Sequence, residues 1–182
     1  MYTEISVAET TAKQFSTMQE AAEAVQEKAL KKARKKLPAK YQAMSLDTVM
    51  QRSDFLAYFK YTLAQEIAQV FAAYDQQVQA VYLFDESTNP GSETEDYPAK
   101  VDLTIHLLLR VTSASAALES FITSLDRALT DVLRELPSAE FAQRLSFLDA
   151  IPVTQKDVEN ERGYAVLLKS IYAPPLMIWQ RY

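Results

Sequence analysis

The sequence predicts an α+β fold, a small mixed sheet of about four strands with helices packed on it and a helical extension in front. Three observations lead there. Residues 101–111 place an apolar side chain at every second position, the period of a strand with one buried face. Two longer stretches, near 54–74 and 113–136, place apolar residues three and four apart, the period of core helices. The order helix, strand, loop, strand, helix, strand, helix, strand lacks the regular alternation of a doubly wound parallel sheet. Apolar residues make up 48% of the 182-residue chain, enough for a substantial core.

Residues 1–15 read as a polar lead-in. Thr17 and Glu20 have capping-box spacing, and an Ala-, Glu- and Lys-rich helix follows to Leu37, where Pro38 stops it. Its apolar stripe, Met18, Ala22, Val25 and Ala29, is thin. This helix is expected to lie on the surface or reach a partner, outside the core. With a short helix over Leu46–Arg52 it forms an N-terminal extension, residues 1–52, and residues 53–182 form the α+β domain.

A core helix starts at Ser53 or Asp54, with Leu56, Phe59, Leu63, Ile67, Val70 and Tyr74 on one face. Val78–Phe84 is short, β-branched and aromatic, and predicts a strand. A polar loop covers Asp85–Lys100. In the next strand Val101, Leu103, Ile105, Leu107, Leu109 and Val111 face the core. Asp102, Thr104, His106, Leu108 and Arg110 face the other way. A helix from Ser113 to Leu136 buries Leu118, Phe121, Ile122, Leu125, Leu129, Val132 and Leu136, and Pro137 ends it. A third strand spans Arg144–Val153. Thr154 or Asp157 caps a further helix with Tyr164, Leu167, Leu168 and Ile171 inward, closed by Pro174 and Pro175. The tail LMIWQRY reads as an edge strand, with Trp179 packed on the sheet. The helices are expected on one face of the sheet.

Composition removes much familiar chemistry. There are two glycines, one histidine and no cysteine. Gly91 and Gly163 are too far apart for a phosphate-cradling loop, and thiol catalysis and disulfides are excluded. No apolar run approaches the roughly 20 residues of a membrane span. Met1–Phe15 carries Glu4 and Glu9 without an apolar stretch and does not read as a secretory signal, so a cytoplasmic protein is expected.

The net charge of −5 argues against general nucleic-acid binding, but charge is unevenly spread. Residues 28–40 hold seven basic residues and no acidic one. Lysines near a helix C-terminus suit its dipole, and the run lacks the large apolar residues of a membrane-surface helix. Residues 85–102 hold six acidic residues and one lysine. That segment has no EF-hand spacing and reads as a solvated loop and candidate contact surface.

From residue 54 to 182 the chain resembles the minimal nucleotidyltransferase fold. The likeness rests on the element order and on VYLF, a polar loop, then KVDLTIHLLL. In that family Gly-Ser follows the first strand, the second carries two aspartates separated by one residue, and the third brings another carboxylate. The resemblance implies a Mg²⁺ site, with Asp102 as one ligand, Asp149 as the third carboxylate by order, and Asp85 and Glu86 at the phosphate-binding turn. Lys100 stands where the other aspartate would be. A lysine repels the metal and two acids repel the phosphates. A degenerate, non-catalytic member is therefore expected, acting in protein interaction or regulation with an unidentified partner or itself, and with no cofactor.

One alternative is a divergent transferase in which Asp102 binds Mg²⁺ with Asp85, Glu86 or Asp149. The other is an anion-binding adaptor working through residues 28–40. His106 is a further candidate catalytic residue, as general base or ligand, set against an ordinary half-exposed sheet histidine. Same-face neighbours on a strand stand about 7 Å apart, so no direct Asp102–His106 contact is expected.

Overall fold

The computed structural model describes residues 17–84 and 102–182. Helix α1 runs Met18–Lys36, with the Thr17 hydroxyl accepting from the Glu20 N–H at 3.1 Å. Short helices α2, Ala39–Gln42, and α3, Leu46–Val49, lead to α4, Ser53–Tyr74. Strand β1, Val78–Leu83, and strand β2, Ile105–Val111, flank the undescribed segment. Helix α5, Ala116–Leu133, is capped by Ser115, and α6 covers Ala139–Ala142. Strand β3, Leu148–Thr154, runs into α7, Gln155–Glu159, and a 3-10 helix over Gly163–Lys169 before strand β4, Leu176–Gln180.

The strands form one mixed sheet in the order β3-β2-β1-β4. β1 pairs antiparallel with both β2 and β4, while β3 lies parallel to β2 after the α5 crossover. The α+β class and the four-stranded mixed sheet agree with the sequence pattern. Leu103, Ile105, Leu107, Leu109 and Val111 are all buried in the main core with Leu125 and Leu129 of α5. β2 begins at Ile105 and β3 at Leu148, both later than expected. Val101 lies outside the described residues.

Three expectations are corrected. Helix α1 is part of the core: Ala22, Ala29 and Ala33 are fully buried and Val25 is 3% exposed. A stripe of alanines is thin in area, but it lets helix backbones approach closely. The approach is close enough for the Thr62 hydroxyl of α4 to donate to the Ala29 carbonyl at 3.1 Å. Gln26 also reaches α5, donating to the Val132 carbonyl at 3.3 Å.

The second sheet face is not left open. Leu108 and Val153 are buried there under Ala165 of the 3-10 helix, with Tyr82, Ile151, Leu167 and Leu168 packed around them. The expected single C-terminal helix is broken in two. Thr154 and Asp157 form a full capping box, but the helix stops after Glu159. Glu161 and Gly163 both take φ of 52°, the left-handed region that favours glycine and ends helices. Tyr164 and Ile171 are consequently exposed rather than inward.

Trp179 packs on the main core as expected, together with Ile178. A bulge in β4 between the Val81 and Tyr82 pairings lets these two sequence neighbours reach the same core. Arg181 anchors the strand by donating to the carbonyls of Val78 at 3.1 Å and Ala72 at 2.9 Å. Among the described residues, no helix is long and apolar enough to cross a membrane.

Candidate functional site

The candidate residues gather where β2 enters the sheet. Asp102 lies just before the strand, and its Oδ1 accepts from the Thr104 N–H at 2.9 Å. This local turn replaces extended geometry, so the straight-strand spacing does not apply. Asp102 Oδ2 consequently stands 3.6 Å from His106 Nε2, against the expectation that the pair would be well separated.

His106 is on the second face of β2. The parallel register sets it opposite Asp149 on β3, with Nδ1 3.0 Å from Asp149 Oδ2. An ionised carboxylate only accepts, so Nδ1 carries the hydrogen and donates. The ring thus has a carboxylate at each nitrogen. Phe84, whose N–H continues the ladder to the His106 carbonyl at 3.0 Å, stacks obliquely on it with ring centres 5.4 Å apart. Tyr164 follows at 5.9 Å from Phe84.

Arg144 closes the cluster from the segment between α6 and β3. It donates to Asp102 Oδ1 at 3.2 Å and to the Thr104 hydroxyl at 2.7 Å. Two residues, Asp126 of α5 and Arg134 at its C-terminal cap, position that segment. Arg134 donates to the Arg144 carbonyl at 2.6 Å, and the Asp126 carboxylate accepts from the N–H groups of Phe147 at 3.0 Å and Leu148 at 2.8 Å.

The Asp102 carboxyl is held below its ordinary range. Partial burial pushes it up, but the opposing influences together outweigh this: the Thr104 N–H, the positive charge of Lys60 on α4, the Thr104 hydroxyl and Arg144. Lys60 is itself buried, 6% exposed. The cluster is half open to solvent, with side-chain exposures of 50% for Asp102, 51% for Asp149 and 29% for His106.

Three predicted candidates, Asp102, His106 and Asp149, therefore converge. Asp85, Glu86 and Lys100 lie outside the described residues. The sequence pattern does not single out Arg144 or Lys60: Arg144 falls at the start of the expected third strand, and nothing in the pattern of α4 marks Lys60 as inward. Magnesium requires open carboxylate oxygens. Asp102 turns one oxygen to Arg144 and Thr104 and the other to His106, and Asp149 turns one to His106. As placed, the described residues do not fit a magnesium site. Among the described residues no group of three or more acidic or histidine side chains stands where it could hold a metal.

The arrangement instead suits a brace. Opposite charges and hydrogen bonds tie the entry of β2 to β3 and to the segment before it. Compared with family models, curated proteins and solved structures, the chain matches nothing.

Proposed function

We propose that this chain is a non-catalytic domain acting through protein interaction or regulation, built on a degenerate nucleotidyltransferase-like plan. The observation that supports the reading is the engagement of Asp102. The carboxylate that the resemblance makes a metal ligand bonds Arg144 and Thr104 and faces His106. A site for metal and triphosphate works by aiming free carboxylates at the cation and donors at the phosphates. Here the carboxylate charge is already answered by side chains of the same chain.

The His106–Asp149 pair has the spacing of a base and its orienting carboxylate. A base of that kind needs its other nitrogen turned to a reacting group, and His106 Nε2 is turned to Asp102. The pair therefore supports the brace rather than catalysis.

The test is calorimetric titration of the full chain with ATP and with CTP in excess Mg²⁺. No heat of binding is expected. Micromolar binding that disappears in Asp102→Asn would overturn the proposal and put the Mg²⁺-dependent transferase in its place.

A further inference from the structure

Helix α1 displays a lysine face of which the fold uses only Lys32. Lys28, Lys31, Lys32 and Lys35 recur at i, i+3, i+4 and i+7, the spacing of one helix face. The buried alanine side of α1 is locked between α4 and α5, so the helix cannot turn this face inward. Of the basic residues in 28–40, Lys32 pairs with Glu66 of α4. Arg34 donates to the carbonyls of Gln42 at 3.3 Å and Met44 at 3.0 Å, and Lys40 lies over the Tyr41 ring. Lys28, Lys31, Lys35 and Lys36 are exposed, and their side chains have no partner among the described residues.

Helix stability does not account for all of them. The favourable effect of a cation on the helix dipole fades within the last turn, which holds Arg34, Lys35 and Lys36. Lys28 and Lys31 lie upstream of it. Three pairs, Lys28–Lys32, Lys31–Lys35 and Lys32–Lys36, place like charges four residues apart, a destabilising arrangement. Glu27 precedes Lys31 at the favourable spacing and orientation, yet the two form no ion pair within the described structure. The helix thus carries a self-repulsion that a polyanion would relieve.

We propose that the lysine face of α1 is a sequence-independent docking surface for the phosphate backbone of nucleic acid. Lysine is a mobile point charge that suits phosphates without reading bases. The face offers no large apolar side chain to enter a bilayer, which favours nucleic acid over a membrane. Glu27, beside Lys28, and Glu66, paired with Lys32, oppose binding locally, and the rest of the acidic chain does so only at long range. Beyond about 10 Å at 0.1 M salt that repulsion is largely screened, while direct lysine–phosphate contacts are not. This inference is independent of whether the domain is catalytic.

The experiment is fluorescence anisotropy of the full chain with a labelled DNA duplex of about 20 base pairs from 50 to 200 mM salt, run beside pelleting with phosphatidylserine vesicles. Duplex binding is expected, with log affinity falling against log salt at a slope of roughly −3 to −4 for about four phosphate contacts. Lys31→Glu with Lys35→Glu should weaken it at least about tenfold and make the slope shallower. Lys31→Gln with Lys35→Gln should weaken it less, and circular dichroism checks that both variants fold. Lys156→Glu with Lys169→Glu makes the same change in net charge elsewhere and should have a far smaller effect. Absence of duplex binding at 50 mM salt overturns the proposal, as does an equal loss in the two reversal pairs. Vesicle binding without duplex binding also overturns it and assigns the face to a membrane surface.

Discussion

His106 on β2 stands opposite Asp149 on β3, its Nδ1 3.0 Å from the carboxylate, while its other ring nitrogen faces Asp102 at 3.6 Å. One imidazole thereby links the strand entry, the strand itself and its parallel neighbour. Arg144 completes the link by holding Asp102 from the other side.

The first prediction concerns acid stability. The Asp102 carboxyl is held below its ordinary value in the folded chain, so it binds a proton less readily than in the unfolded chain. Its contribution is present above the unfolded value of about 3.9 and is lost as pH falls through the lower folded value. Asp102→Asn should therefore make the stability curve less steep below about pH 4. Urea unfolding of both proteins across that range is the measurement, and superimposable acid limbs would contradict the assignment.

Arg144→Ala should raise the Asp102 carboxyl towards its ordinary value by removing a cation and a hydrogen-bond donor. Carboxyl carbon chemical shifts followed through a pH titration report this directly. The Thr104 N–H and Lys60 remain, so only part of the shift should be lost. An unchanged titration would mean that the guanidinium contact is absent in solution.

Leu107 is fully buried at the centre of β2. Leu107→Ala should cost about 2–5 kcal/mol, the transfer loss of the side chain plus the cavity it leaves. A loss below about 0.5 kcal/mol in chemical denaturation would mean the strand faces are assigned the wrong way round.

Ala29 of α1 is fully buried, and its carbonyl accepts from Thr62 of α4. Ala29→Leu should destabilise the chain by about 1–3 kcal/mol, because the added carbons force the two helices apart. If α1 were a surface extension, the same change would be close to neutral, since the helix propensity of leucine is only slightly below that of alanine. Thermal unfolding of the variant separates the two cases.

Much of the architecture was legible because it rests on local chemistry. The period-two run through Leu103–Val111 marked the central strand and its buried face. The pair Thr17–Glu20 and a cap at Thr154 or Asp157 marked two helix starts, and the prolines at 38 and 137 marked two ends. Asp102, His106 and Asp149 stood out as chemistry-bearing residues in a chain with one histidine. The core role of helix α1 is hidden from the sequence because its alanine stripe offers little hydrophobic area. Its anchoring depends on close approach, which small residues allow and a hydrophobicity pattern does not register.

The relations among the site residues were decided by tertiary structure. Whether Asp149 faces His106 depends on the parallel pairing of β3 with β2, and no local periodicity encodes which strand lies beside which or in what register. Arg144 reaches Asp102 across 42 positions of chain, positioned by Asp126 of α5 and by Arg134 at its C-terminal cap. By itself the sequence determined which side chains are available and which faces are apolar, because period and capping are properties of neighbouring residues. Only the folded sheet decided that the carboxylates meet an imidazole and a guanidinium, because distances between strands are set by packing and backbone hydrogen bonds over the whole chain.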